Sequence, residues 1–380
     1  MDLPSSPLQD VTSHLADPCV IARVELLRVP HAWLCRVTDR DGAEGIAPGS
    51  SRLSLFTSLF KQQAEVAVGL DARRVRALSD AMWRHKSSYK FGLPTRVCIA
   101  AVEMACLDLV GQKSGKSIGD IAGGRRRDEV DLYLSHTGRH TSAEEEVALF
   151  APRVEATGCR AIKYKVGGRM SRNADAAPGR SEAVTQALRK AVPNAELWAD
   201  ANGSYDADHA IEVSRMLADY GVAVFEEPCP FDDLDETKRV AEAIDMTVAG
   251  GEQDHAWPTF RQMIGDRVVD LLQPDAHYVG GLDRSLAVAG AANRAGLRVT
   301  PHSPKSGPEG VSLLHVASLV DDVAAFHEWS VHPEPNADWY APRFAIRDGR
   351  LTVPNGPGLG LTYDPDVLAR AEVVVTRSHT

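Results

Sequence analysis

The sequence predicts an α/β fold: a (β/α)8 TIM-type barrel joined to a smaller α+β module built by the N-terminal region and the C-terminal tail. Three observations predict it. From residue 129 to about 350, short apolar runs alternate with amphipathic stretches, and eight of these runs have the length of strands. Three runs end in an acid at one interval, since Asp200, Glu226 and Glu252 stand 26 residues apart (200 to 226, 226 to 252). A strand, a loop, a helix and a return loop use about that many residues in a parallel α/β architecture. Outside this region the rhythm is absent, which predicts a capping domain over 1–128, completed by 351–380, and a barrel over 129–350.

From Val20 to Ile46 the pattern alternates and is broken by Asp39-Arg40-Asp41-Gly42, which reads as two antiparallel strands joined by a turn. Leu53 to Met82 and Thr95 to Val110 carry apolar residues at helical spacing, the second ending at Gly111. The next stretch, Gly111-Gln112-Lys113-Ser114-Gly115-Lys116-Ser117, nearly spells a phosphate-binding loop. It is one residue short between its glycines and follows a helix instead of a strand, so a helix end and a polar turn is the reading taken. Gly123-Gly124-Arg125-Arg126-Arg127 then marks a crossing between domains.

The barrel strands are read at Val130–Tyr133, Ala161–Val166, Glu196–Asp200, Val222–Glu226, Thr247–Gly250, Leu271–Gln273, Arg298–Thr300 and Ala324–His327. Helical stretches such as Ala183–Ala191, His209–Tyr220, Asp235–Ile244 and Leu282–Ala295 fall between them. The tail contains Pro354-Asn355-Gly356-Pro357-Gly358-Leu359-Gly360 and packs back on the first module. Its glycines lead into no helix, which argues against a dinucleotide loop.

Composition excludes several classes of function. The chain has 380 residues, 44% hydrophobic and 25% charged, as expected of a folded soluble enzyme and not of a disordered chain. A net charge of −10 gives no general attraction for nucleic acid or an anionic membrane. The first residues show no secretion signal, and no uninterrupted apolar stretch is long enough to span a bilayer, so a cytoplasmic location is expected. The six cysteines, at 19, 35, 98, 106, 159 and 229, have no paired spacing and read as buried thiols.

Active sites of such barrels lie at the C-terminal ends of the strands, and those ends carry chemistry here. The second strand ends in Lys163-Tyr164-Lys165, whose alternation points both lysines into one space and Tyr164 away. The next three bring Asp200, Glu226 and Glu252. Asp275, His302 and Glu328 follow at the sixth, seventh and eighth. Three acids facing one point cannot all stay ionised without a cation, and oxygen donors suit a hard ion such as Mg2+. Asp275 beside His302 would fix the imidazole tautomer and raise its basicity. Lys165, close to a second lysine and a metal, is expected to have a lowered pKa and to serve as a base, while Lys163 supplies charge to a substrate carboxylate. Glu328, if protonated, could donate a hydrogen bond to a developing oxyanion. These parts describe removal of the weakly acidic proton beside a carboxylate, with two bases on opposite walls.

The ordered set Lys163-Tyr164-Lys165, Asp200-Ala201-Asn202, Glu226-Glu227-Pro228, Gly251-Glu252, Asp275, His302 and Glu328 resembles the enolase superfamily, and within it the mandelate-racemase-like acid-sugar dehydratases. The resemblance spans nearly the whole chain. It implies a modified barrel, one Mg2+ held by Asp200, Glu226 and Glu252, acid/base work by Lys165 and the His302–Asp275 dyad, and hydrogen bonding by Glu328. Asn202 would stand behind the metal ligands, steadying them or a water. No lysine lies between Asp270 and Asp283, which sets the chain apart from the muconate-lactonising-like branch. Dehydration of a small sugar acid is the activity implied first. Racemisation, epimerisation or cycloisomerisation through the same intermediate comes second, and a barrel that binds without turnover third. A homo-oligomer is implied as well.

Two departures leave the substrate open: Gly45-Ile46-Ala47-Pro48-Gly49 lacks a glutamate often found there in relatives, and Tyr278 stands where relatives often have lysine. His136, Thr137 and the Ser87–Phe91 stretch are candidates for substrate contacts.

Overall fold

The computed structural model describes residues 3–85, 92–334 and 337–378. The Ser87–Phe91 candidate stretch lies outside the described residues. The N-terminal region contributes three strands to the first sheet where the sequence suggests two: β1 (Ile21–Val29), β2 (Ala32–Asp39) and β3 (Glu44–Gly49). Pro30 and His31 alone connect β1 to β2, so this tight turn interrupts the alternation too little to show. The second turn is made by Asp39, whose Oδ1 accepts the backbone N–H groups of Asp41 (3.0 Å) and Ala43 (2.9 Å).

The stretch read as one helical run from Leu53 to Met82 divides into a 3-10 turn at Ser51–Leu55, α1 (Thr57–Ala67) and α2 (Val75–Arg84). Gly69, at φ 88°, and the turn after it separate the two helices. The long α3 (Leu93–Ser114) runs past Gly111 and ends at Gly115, which takes the left-handed conformation that closes a helix. It is buried almost all round, because it packs on β3 and on the helix pair that follows the sixth barrel strand. Gly45 permits the approach to β3: a Cβ there would lie 2.3 Å from the Ala105 carbonyl oxygen. Beyond Gly115, Ser117 caps the short α4 (Ile118–Ile121), so the near-phosphate-loop motif is a helix end and turn.

Eight parallel strands follow: β4 (Glu129–Ser135), β5 (Ala161–Lys165), β6 (Glu196–Asp200), β7 (Val222–Glu226), β8 (Thr247–Gly250), β9 (Leu271–Leu272), β10 (Arg298–Val299) and β11 (His327–Ser330). Their order is β10-β9-β8-β7-β6-β5-β4-β11. The seam between β10 and β11 is closed by a bridge from Val299 to Val323 and by the Ala324 N–H donating to the Val299 carbonyl (3.0 Å). The eighth strand therefore begins three residues later than the sequence predicts. Ala324 bridges the seam, and the ladder with β4 starts at His327. The helices are α5 (Ala143–Thr157), α6 (Arg180–Ala191), α7 (Ala207–Asp219), α8 (Leu234–Ala243), α9 (Trp257–Gly265), the pair α10 (Ala276–Val279) and α11 (Leu282–Arg294), and α12 (Val311–Leu319).

Alternation along the strands separates the barrel interior into two levels. Tyr133, Ala161, Trp198, Val224, Ala249, Leu271 and Ala324 form one apolar cluster, with the Tyr133 and Trp198 rings 4.4 Å apart. Two residues further along the same strands come Lys163, Asp200, Glu226 and Gln273. An apolar plug thus supports a charged layer at the C-terminal ends.

The tail contributes β12 (Tyr340–Ala341), β13 (Arg350–Thr352), β14 (Thr362–Tyr363), α13 (Pro365–Ala369) and β15 (Glu372–Ser378). β13 pairs antiparallel with the start of β4, and β15 pairs antiparallel with β1 at the edge of the first sheet. The Pro/Gly-rich run docks on the end of α3, where the Gly358 N–H donates to the Lys116 carbonyl (2.9 Å) and the Ile118 N–H to the Gly358 carbonyl (2.9 Å). The expected return of the tail to the first module is observed. All six cysteines are buried free thiols, and among the described residues no helix is long and apolar enough to cross a membrane.

Candidate active site

Lys163 and Lys165 leave β5 on its inner face, while the Tyr164 hydroxyl donates outward to Thr185 Oγ1 of α6 (2.9 Å). Asp200 and Glu226 close β6 and β7 on the same face. Glu252 lies beyond the end of β8, where alternation no longer places it. Gly251, at φ 106°, turns the chain so that its carboxylate joins the other two. One carboxylate oxygen from each of the three lies within 4.8 Å of the others, and all three residues are buried.

The lysines stand between carboxylates. Lys163 Nζ lies 2.5 Å from Glu226 Oε1, 2.8 Å from Glu328 Oε1 and 3.8 Å from Asp200 Oδ2. Lys165 Nζ pairs with Asp200 Oδ2. Both ammoniums reach the same Asp200 Oδ2, so the two lysines are neighbours and each is paired with a carboxylate. Burial opposes the charge of Lys163, yet Glu226 and Glu328 outweigh it and hold its pKa well above the ordinary lysine value. Burial also raises the Asp200 carboxyl, but Lys165 and Lys163 overcome that and bring it below the usual range. Glu226 is pushed far up by burial, which the nearby Lys163 fails to offset against Asp200 and Glu252. The ring holds more buried negative charge than its two lysines neutralise.

Across the ring, Asp275 performs two tasks. As N-cap of α10 it accepts the His277 N–H on Oδ1 (2.7 Å), and its Oδ2 lies 2.8 Å from His302 Nδ1. This directs His302 Nε2 to the carboxylates, 3.2 Å from Glu252 Oε2 and 3.7 Å from Glu328 Oε2. Burial disfavours the imidazolium, but Glu252, Glu328 and Asp275 outweigh it and raise the His302 pKa to about 10.

Glu328, expected to donate to an oxyanion if protonated, accepts on both oxygens here: Oε1 faces Lys163 and Oε2 takes the Ser303 N–H (2.8 Å). Burial raises its pKa, and Lys163 and His302 reverse that, lowering it to about 2.

Asn202 stands behind the ring. Its N–H donates to Asp200 Oδ1 (2.8 Å), its amide donates to Glu227 Oε2 (2.9 Å), and its Oδ1 accepts from Arg139 Nη2 (2.8 Å). Gln273 likewise donates to Glu226 Oε2 (2.7 Å). His136 faces elsewhere: it is buried, with Nδ1 3.0 Å from Glu146 of α5, and Thr137 instead lines the cleft. Alternation carried this signal, because the cluster member Tyr133 points inward on β4 and His136 has the opposite parity.

A cleft of about 510 Å³ opens above the ring, lined by Lys165, Glu252, His302 and Glu328 together with Ser51, Arg52, Thr137, Arg169, Gln253, Tyr278 and Lys305. Tyr278 accepts a hydrogen bond from Arg52 Nε (2.7 Å), and its ring lies 6.1 Å from that of His302. Sequence reasoning missed Arg52, Arg169, Gln253 and Lys305. Only their nearness to motif residues could have pointed to them.

Comparison with known proteins agrees with this geometry. Residues 145–367, more than half of the chain, match the family described as Enolase C-terminal domain-like. The chain is a member of the enolase superfamily, in its mandelate-racemase-like subgroup. This member is 29% identical over 300 residues to arabinonate dehydratase of Saccharolobus solfataricus, covering 77% of the chain and 76% of that relative. It is also 29% identical over 283 residues to D-galactarolactone cycloisomerase of Agrobacterium fabrum, covering 71% and 72%. A solved mandelate racemase/muconate lactonizing protein from Paracoccus denitrificans, complexed with magnesium, is 28% identical with a TM-score of 0.87. That alignment covers 94% of this chain and 99% of that one.

Proposed function

We propose that this enolase-superfamily member is a Mg2+-dependent hydro-lyase. It removes the proton α to the carboxylate of a sugar acid and expels the β-hydroxyl as water, giving a 2-keto-3-deoxy acid. The observation that carries this reading is one cleft that joins three clustered carboxylates to Lys165 on one side and the His302–Asp275 dyad on the other. The relative named arabinonate dehydratase supports the same class of reaction.

The residues fit a divalent cation. The three oxygens converge within 4.8 Å, and Glu252 Oε2 is buried without accepting a hydrogen bond. Asp200, Glu226 and Glu252 would hold the ion, which when bound offsets the negative charge that builds on the substrate carboxylate as the proton departs. Lys163 lies under the ring with its ammonium fixed by Glu226 and Glu328, and adds a positive charge to the same end of the substrate. β5 and β10 are nearly opposite in the strand order, so Lys165 and His302 approach the substrate from different faces. One takes the α-proton and the other protonates the departing hydroxyl; Asp275 keeps the proton of His302 on Nδ1 and leaves Nε2 facing the cleft.

The test is a panel of sugar acids with Mg2+, scored for keto-acid product as the semicarbazone. Turnover that vanishes on chelation and in both Lys165→Ala and His302→Ala is expected. No product across a broad panel, or activity intact in the double variant, would sink the proposal. The resemblance to D-galactarolactone cycloisomerase favours a second reading, isomerisation by the same proton abstraction. Solvent deuterium entering the α-carbon without keto-acid formation would select that reading.

A further inference from the structure

We infer that the cleft selects a sugar di-acid, whose distal carboxylate is received by Arg52 and Arg169 at the mouth. This rests on the reading that the cleft takes a sugar acid, and it specifies the far end of the substrate. The cleft is about 510 Å³, and most of its lining residues carry a polar or charged group. Each cation near the barrel axis already faces a carboxylate: Lys163 and Lys165 pair with Glu226, Glu328 and Asp200, and His302 faces Glu252. Lys305, at the rim, has Glu309 at 3.2 Å. Arg52 and Arg169 lack such a partner, since among the described residues no carboxylate is within ion-pair distance of either guanidinium.

Both are positioned by other contacts. Arg52 follows the first sheet, in the 3-10 turn at Ser51–Leu55. Its Nε donates to the neutral Tyr278 hydroxyl (2.7 Å), and the guanidinium lies over the Tyr278 ring, 5.1 Å from the centroid. That ring is 6.1 Å from His302, so the guanidinium is held one aromatic ring beyond the proposed base, with its terminal nitrogens free to bond. Arg169 comes from the β5–α6 loop on the Lys165 side. Its backbone stands at φ 60°, fixed by its N–H donating to Ser204 Oγ (2.9 Å). A non-glycine residue rarely adopts that conformation, and this one puts a second cation on the lining of the same cleft. A planar guanidinium binds a carboxylate through two parallel N–H···O bonds, so two of them at the mouth recognise an anion where a sugar mono-acid offers only a hydroxymethyl group.

Matched substrates provide the test: each sugar mono-acid, its di-acid and its terminal phosphate ester, assayed with Mg2+ for kcat and KM and titrated by calorimetry. The di-acid is expected to exceed its mono-acid in kcat/KM by about 30-fold, mostly through KM, as for one lost charge-assisted interaction. Arg52→Gln should collapse that preference at unchanged melting temperature, Arg52→Lys should restore part of it, and Arg169→Gln should act in the same direction. Equal use of mono-acid and di-acid, or preference for the phosphate ester, would overturn the inference while leaving the dehydratase reading intact. Tight di-acid binding without turnover of any compound would instead uphold the inference and refute dehydration.

Discussion

Lys163 and Glu328 meet under the site at 2.8 Å, both almost completely buried, and with Glu226 they decide how the ring is charged. Removing one member of such a buried group costs about 3–5 kcal/mol, because the remaining charges are left uncompensated. Lys163→Met is therefore expected to lower the melting temperature of the metal-free protein. It should also enlarge the gain in melting temperature on adding Mg2+, since the cation then faces three acids with one lysine fewer. Scanning calorimetry with and without Mg2+ checks this, and an unchanged gain would contradict it. In the proposed mechanism Asp275 acts through His302. Asp275→Asn should lower kcat by about 10²–10⁴-fold while the fold stays intact, since the amide no longer stabilises the imidazolium. Circular dichroism alongside steady-state kinetics separates the two effects.

At the scale of elements, α3 ties the first module to the barrel. Glu103, fully buried on this helix, accepts the Leu282 (3.2 Å) and Asp283 (2.8 Å) N–H groups and so caps α11 from outside. Gly281 leaves room for it, because a Cβ there would lie 2.4 Å from the Glu103 carboxyl carbon. Asp283 in turn pairs with Arg76 of α2 and accepts from Ser6 Oγ (2.5 Å). Burial pushes the Glu103 carboxyl up from 4.5 to about 8, only partly countered by the Asp283 N–H. The folded protein keeps that proton where the unfolded chain has lost it. Stability from this group is therefore full below about pH 4.5 and falls as pH rises towards 8. Glu103→Gln should flatten the decline in melting temperature across that window, and an unaltered slope would rule the assignment out. None of this was visible in the helical spacing of Thr95–Val110, since a helical period reports which face is apolar and not which neighbour a buried acid will cap.

For the whole molecule, we propose the division at residue 128, with 351–380 returning to the first module and 129–350 forming the barrel. β15 carries the return: Arg23 to Arg28 of β1 pair with Glu372 to Ser378. Ending the chain after Arg370 would leave β1 as an open edge beside apolar helices. The expected result is a lower denaturation midpoint and concentration-dependent aggregation, read by chemical unfolding and light scattering; an unchanged midpoint would argue that the tail only decorates the sheet. The same return seats Gly358 on the end of α3, so the first sheet and the barrel share one support.

By itself the sequence determined the barrel and most of the ring at its mouth. The 26-residue pitch and the period of two along β5, β6 and β7 are local properties, and locality is what a sequence displays. They placed Lys163, Lys165, Asp200 and Glu226 on one inner face and, applied strictly, would have sent His136 outward. Tertiary structure decided the rest. Glu328 is an acceptor because Lys163 and the Ser303 N–H converge on it from two other strand ends. Arg52 reaches the cleft because the first sheet directs its turn over the barrel. Charge state and reach depend on distances between segments far apart in the chain, and only the folded molecule sets those distances.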